Sequence, residues 1–192
     1  MHCGRQTYWN HWSRRKVNPF FVHTPKCGRS STRVLCRENG IETCGHRLVE
    51  AKNNPDRQRF TVIREPGSRF QSLIHYRLQA PHPRKDFPKK LHYNSKLSLD
   101  QIVNAMTDKQ VLGFRPYRTQ SHFVAHVDIC FTIDEVPEAI AIMSSIEHPV
   151  TDLPYKNVSR KSRAGLSAKS LKRIRGIFKQ DVEIWNRWTR LD

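Results

Sequence analysis

Two short apolar runs, Phe20-Phe21-Val22-His23 and Phe60-Thr61-Val62-Ile63, constrain this chain more than any other feature. Both are too short for helices and have the aromatic and β-branched make-up of buried strands. Each is stopped by a basic turn containing proline, and each turn leads into a segment of helical spacing. Thr24-Pro25 ends the first run, and a helix is expected from about Gly28–Ser31 to Glu38, closed by Asn39-Gly40. Pro66-Gly67 follows the second run, with a helix expected from Ser68 to about Leu78. A third strand is expected over 127–133, then a helix over 136–146 opened by Pro137. Leu97 to Met106 reads as a helix capped by Ser98. Ser167 should cap one C-terminal helix, along which Leu171, Ile174, Ile177, Phe178, Val182, Trp185 and Trp188 recur every three or four residues. Strands alternating with helices imply an α/β fold of three layers, a mainly parallel sheet flanked by helices. In such sheets ligands bind at the carboxyl ends of the strands, where both basic turns fall.

A length of 192 residues suits one domain, placed at 17–192 behind a basic leader at 1–16. Residues 80–96 carry three prolines and many basic side chains without periodicity, and read as a mobile or substrate-facing loop. Lys and Arg outnumber Asp and Glu by 34 to 17, a net charge of +17 that calls for a polyanionic partner. The five cysteines are scattered without a C-x-x-C pair, which fits reduced thiols rather than a disulfide framework or a zinc site. The longest apolar stretch, Ala139 to Met143, is too short to span a bilayer, and residues 1–16 lack a signal-type apolar core. As given, the chain reads as soluble and cytoplasmic with no membrane span; a Golgi-lumenal catalytic fragment would read the same way.

The first turn, Pro25-Lys26-Cys27-Gly28-Arg29-Ser30-Ser31, has the chemistry of a phosphate cradle. Gly28 admits a close backbone approach, successive N–H groups and the helix N-terminus favour an anion, Lys26 adds a full charge, and the two serines add donors. It is not a Walker A loop, because the lysine precedes the glycine. The second turn, Arg64-Glu65-Pro66-Gly67-Ser68-Arg69-Phe70-Gln71-Ser72, offers Arg64 at a strand end and Ser72 on the next helix, a planar fork and a neutral donor for a dianion. Arg69 reads as a structural ion-pair partner.

These two motifs, in this order, resemble the 5′-phosphosulfate loop and the 3′-phosphate element of sulfotransferases that use 3′-phosphoadenosine-5′-phosphosulfate (PAPS). The stretch Phe21-Val22-His23-Thr24-Pro25-Lys26 through Ser31 is most similar to the carbohydrate sulfotransferases, and the likeness extends over most of Pro19 to Trp188. Arg29 departs from the family, which has a small residue there. The resemblance implies a P-loop-NTPase-like sulfotransferase fold with PAPS as cosubstrate and no metal. It implies that Lys26, Cys27, Gly28, Arg29, Ser30, Ser31, Arg64, Ser72, Arg160 and Lys161 hold the nucleotide. Lys26 would neutralise charge on the leaving 5′-phosphate, and a base would take the acceptor proton. His46, between the two motifs, is the first candidate for that base; His75 is the second and Glu50 the next, while His23 reads as structural. The acceptor is expected to be an anionic carbohydrate, and nucleic acid is not expected. Two alternatives share parts of this pattern: a P-loop-like nucleotide kinase or NTPase, and a basic nucleic-acid-binding module without catalysis.

Overall fold

The computed structural model describes residues 18–44, 56–83, 85–94, 96–113, 119–144, 146–154 and 165–189. Pro19 opens the first strand, a position where its missing N–H costs no ladder bond. β1 (Pro19–Phe21) leads through a loop to α1 (Arg29–Glu38) and β2 (Glu42–Thr43). β3 (Gln58–Val62) leads directly to α2 (Pro66–Leu78), then to α3 (Lys89–His92), α4 (Leu99–Asn104), α5 (Asp108–Leu112) and α6 (Gln120–Val124). β4 (Ile129–Phe131), a 3-10 turn, α7 (Val136–Met143), α8 (Ala168–Ile177) and α9 (Lys179–Thr189) complete the described chain. The strands form one sheet in the order β2-β1-β3-β4, every pair parallel, flanked by helices.

The period-two alternation of strands fixes the register. Phe21, Phe60 and Val62, with Ile129 and Phe131, point to one face and pack on Leu35 and Cys36 of α1 and Val136, Ala139, Ile140 and Met143 of α7. Phe60 sits between two other rings there, 5.3 Å from Phe21 and 5.9 Å from Phe131 between centroids. Phe20 and Val22 point the other way, with Cys44, and the Arg57 guanidinium lies 5.0 Å over the Phe20 ring. On that face Thr61 is fully buried, its hydroxyl donating to Val22 O (2.6 Å) and bonded to the Thr24 hydroxyl (2.8 Å). A second apolar core joins Phe70, Leu73 and Ile74 of α2 to Ile102 of α4, Val111 of α5 and Ile174 of α8. No helix among the described residues is long and apolar enough to cross a membrane.

Three expectations change. The segment 80–96 is not simply a loop: it contains α3, and Phe87 is buried in the second core. Arg77, itself buried, pairs with Asp86, and the His92 ring bonds to Ala80 O at 2.9 Å. The prolines hid these anchors by removing any readable period. The C-terminal helix is two helices, broken at Phe178, where φ is −100° and ψ 39°. Each half keeps its apolar spacing, so the pattern runs through the break, but Ile174 and Phe178 belong to the second core and Trp188 packs on the first. The helix expected over 136–146 stops at Met143, with Ser144 extended.

Asn39 ends α1 and does more than cap it. Its buried amide donates to Leu35 O and Val150 O, both at 2.9 Å, and accepts from Val150 N at 3.0 Å. Asn39→Ala should therefore lower unfolding free energy by roughly 2–4 kcal/mol, because buried partners lose their bonds. Ser98→Ala, which removes an exposed capping box on α4, should cost only about 1 kcal/mol. Urea denaturation with unchanged m-values is the measurement; equal losses would contradict the buried role of Asn39.

Candidate anion-binding site at the β1–β3 crevice

From β1 the chain crosses to β2 on one side of the sheet, while β3 lies on the other side and leads on to β4. The crevice outside the carboxyl ends of β1 and β3 is thus the point where the strand order reverses, the place where open α/β sheets bind ligands. Two segments border it: the loop 22–28 and the turn 63–65. Thr24 of the loop bonds to Thr61 of β3 beneath the crevice.

The loop has an unusual backbone. Lys26 and Gly28 both lie in the left-handed region, with φ of 66° and 79°. A non-glycine residue there costs on the order of 1 kcal/mol, and such turns aim peptide N–H groups at an anion. Gly28 is the N-cap of α1 and brings no side chain to it. A Cβ at Gly28 would stand 2.3 Å from Ile133 Cδ1, the far end of a side chain that would have to shift, while the positive φ itself calls for glycine. Arg29, Ser30 and Ser31 form the first turn of α1, with no acidic residue among them. The Cys27 thiol faces inward, 2 % exposed and 3.3 Å from Gln120 Oε1, so Cys27 presents only its backbone to a ligand. Burial pushes that thiol up to about 11, which keeps it protonated.

Lys26 is half-buried, its ammonium 4.6 Å over the Tyr76 ring. Burial, and after it the nearby positive charge of Arg64, lowers its pKa from 10.5 to about 8. Between those values the unfolded chain holds a proton that the folded chain has lost, so this group makes stability rise with pH across that window. It also leaves a cation at the crevice that gains from an incoming anion.

One buried side chain joins the two segments. Gln120, fully buried at the start of α6, accepts from Arg64 N (2.8 Å) and from the Cys27 thiol, and donates to Arg64 O (2.8 Å). Asp181 of α9, 1 % exposed, holds Gln120 in turn: its carboxylate accepts from Gln120 N (2.8 Å) and Ser121 N (2.9 Å). Arg69 lies 3.5 Å from the same carboxylate and donates to Pro25 O at 3.0 Å, the ion-pair role read from the sequence. On α2, Arg69, Ser72 and Tyr76 share a face by their spacing of three and four. Arg69 touches Pro25 and Tyr76 touches Lys26, so Ser72 lies on the helix face turned toward the loop.

The N-terminus of α2 is differently disposed. Glu65 caps it, accepting from Gly67 N (3.0 Å) and Ser68 N (2.6 Å), and Arg175 donates to the same carboxylate at 2.9 Å. Burial alone would raise its pKa, but the bonds from Ser68, Arg175 and Gly67 outweigh it and hold the carboxyl below its ordinary value. That helix end is already occupied by an anion of the protein's own, whereas the first turn of α1 holds no acid.

Lys26, Arg64 and Ser72 are therefore brought toward one crevice, with the Gly28–Ser31 turn at its edge. His46, Arg160 and Lys161 lie outside the described residues, as does Glu50. His75 is buried on α2, and His23 is buried just past β1. Sequence reading missed Gln120, Asp181 as a buried anchor, and Tyr76. Asp181 carried a signal, a lone acid three residues after Phe178 on the apolar stripe of its helix; Gln120 carried none. Comparison with protein-family models, curated proteins and solved structures finds no match to this chain.

Replacing Gly28 separates its two constraints. Gly28→Ala should destabilise by about 1–3 kcal/mol from φ strain and crowding together. Adding Ile133→Val, which removes the clashing methyl, should recover only the steric part. Chemical denaturation of the double variant tests this; full recovery would mean that φ is not a constraint at Gly28.

Proposed function

We propose that this chain is a PAPS-dependent sulfotransferase that moves a sulfuryl group to a hydroxyl, with a carbohydrate as acceptor. One observation carries the reading: Lys26, on the loop after β1, and Arg64, on the turn after β3, stand at the point where the strand order reverses, on segments clamped together by Gln120. A nucleotide with anionic groups at both its 5′ and 3′ positions suits two separate cations better than a single phosphate does. Lys26 with the loop amides takes the 5′-phosphosulfate, and Arg64 with Ser72 takes the 3′-phosphate. The acceptor oxygen attacks sulfur as the bond from sulfur to the 5′-phosphate oxygen breaks. Lys26 neutralises charge on that departing oxygen, and the acceptor proton passes to a base, His46 in this reading with His75 as the second candidate. Positioning and charge neutralisation supply most of what in-line transfer of this kind needs. The finer fold, a three-layer P-loop-like sulfotransferase domain over 17–192, is part of the same proposal.

A metal-dependent kinase would need a carboxylate turned toward the phosphates. Glu65 and Asp181, the carboxylates bonded into the crevice walls, are both committed, one to the amides of α2 and Arg175, the other to the amides of α6 and Arg69.

Titration with 3′-phosphoadenosine 5′-phosphate and with adenosine 5′-phosphate tests the assignment. Arg64→Ala should weaken the first by roughly ten- to a hundredfold, the loss of a charged hydrogen-bond partner, and leave the second nearly unchanged. Lys26→Ala should weaken both and nearly abolish transfer. If Arg64→Ala binds the doubly phosphorylated nucleotide as tightly as the parent, the 3′-phosphate assignment fails.

Because the Lys26 pKa is lowered to about 8, nucleotide affinity should be flat below that pH and decline above it. The decline should be at most about tenfold per pH unit, the slope of one linked proton. Calorimetry across pH checks this, and the limb should vanish in Lys26→Met.

A further inference from the structure

Lys26 leaves the loop after β1 with a left-handed backbone, φ 66°, and its side chain reaches α2. It lines one narrow pocket together with Pro66, Arg69, Phe70 and Leu73 of α2 and with Phe178 at the break between α8 and α9. About a turn further along α2, the ammonium stands 4.6 Å over the Tyr76 ring. Pro66, Phe70, Leu73 and Tyr76 recur at three and four, so a single face of the helix receives the side chain.

A ring holds a cation without cancelling it. A carboxylate at that place would form an ion pair that an incoming anion has to break, whereas the electron-rich face of a tyrosine leaves the full positive charge to be met. Lys26 makes no ion pair among the described residues, and Glu65 and Asp181 are bonded elsewhere. The ring is supported in turn: Arg77, buried and paired with Asp86, has its guanidinium 5.9 Å over it. Tyr76 is 38 % exposed, so its contact with Lys26 lies at the protein surface, within reach of a ligand.

We propose that Tyr76 is a positioning residue, which holds the Lys26 ammonium at the crevice in the geometry that meets the phosphate of an incoming ligand. A free lysine side chain samples many rotamers and loses that freedom when it is fixed on an anion. Packing on α2 and the Tyr76 ring fix it beforehand, so little of that loss falls on the binding step. Tyr76 itself need touch neither phosphate nor sulfur; it acts through Lys26. The proposal deepens the crevice reading and rests on it in one respect, that an anion is taken up at Lys26; which nucleotide carries the anion does not enter.

Inorganic pyrophosphate is the probe, with 3′-phosphoadenosine 5′-phosphate and adenosine 5′-phosphate titrated in parallel. Tyr76→Leu should weaken pyrophosphate binding by roughly five- to thirtyfold, the range for a cation–ring contact partly removed from water, and Tyr76→Phe, which keeps the ring, by no more than about twofold. On a Lys26→Ala background Tyr76→Leu should cost nothing further, because the two residues act as one unit. Nuclear magnetic resonance of the full chain with isotope-labelled lysine reads the geometry directly. The ε-methylene protons of Lys26, identified by their loss in Lys26→Arg, should be shifted upfield by the ring current, in the parent and in Tyr76→Phe but not in Tyr76→Leu. Thermal unfolding verifies that the variants are folded, and Tyr76→Met replaces Tyr76→Leu if that variant is not. Any of five results overturns the positioning role: pyrophosphate does not bind the parent, Tyr76→Leu binds it as tightly as the parent or more so, Tyr76→Phe loses as much as Tyr76→Leu, the loss persists without Lys26, or the Lys26 protons show no upfield shift. If pyrophosphate follows the expected pattern while 3′-phosphoadenosine 5′-phosphate binds no better than adenosine 5′-phosphate, the positioning role stands and the nucleotide assignment fails.

Discussion

A buried carboxylate organises this molecule. Asp181 is almost fully removed from water, and an ionised group in that position is tolerated only when its charge is met at close range. Two backbone amides at the start of α6 and the guanidinium of Arg69 meet it. Those partners in turn determine where Gln120 and Pro25 sit, and through them the loop after β1 and the turn after β3. The sheet supplies the two strand ends. The carboxylate, acting from a helix on a different part of the chain, decides how the segments leaving those ends face each other.

This division explains what could be read from the sequence. The strands at 20–23 and 60–63, the helices after them and the cap at Ser98 were legible, because each depends on spacing within a few residues. The positions of Lys26, Gly28, Arg64 and Ser72 beside the strand ends were legible for the same reason: each stands at a fixed offset from a strand end. The clamp was not legible, since Gln120 acts through bonds to positions 93 and 56 residues away, and no local pattern encodes a partner at that distance. The break at Phe178 was hidden differently. Helical periodicity registers which residues are apolar, not which of two cores they enter.

The site also shows how a strongly basic protein keeps its charges distinct in role. Arg69 and Arg77 are buried and engaged with Asp181 and Asp86, where they hold backbone in place. Arg57 spreads over Phe20 and covers an apolar face, so its stem and plane matter as much as its charge. Lys26 is the different case: half-buried and placed near other cations, it is uncomfortable until an anion arrives. Net charge alone treats these groups as equivalent; burial and partners separate scaffold from site.

The separation of the clamp along the chain bears on the order in which this molecule becomes competent. Cys27 must meet Gln120 across 93 residues, and Gln120 must meet Asp181 across a further 61. Closing such loops comes late, after helices and neighbouring strands have formed. An intermediate with its sheet already paired would therefore still carry a slack loop after β1 and an unpinned Arg64. Such a species would have native-like secondary structure without the clamped crevice, and the affinity proposed for that crevice would first appear in refolding with the docking of α9.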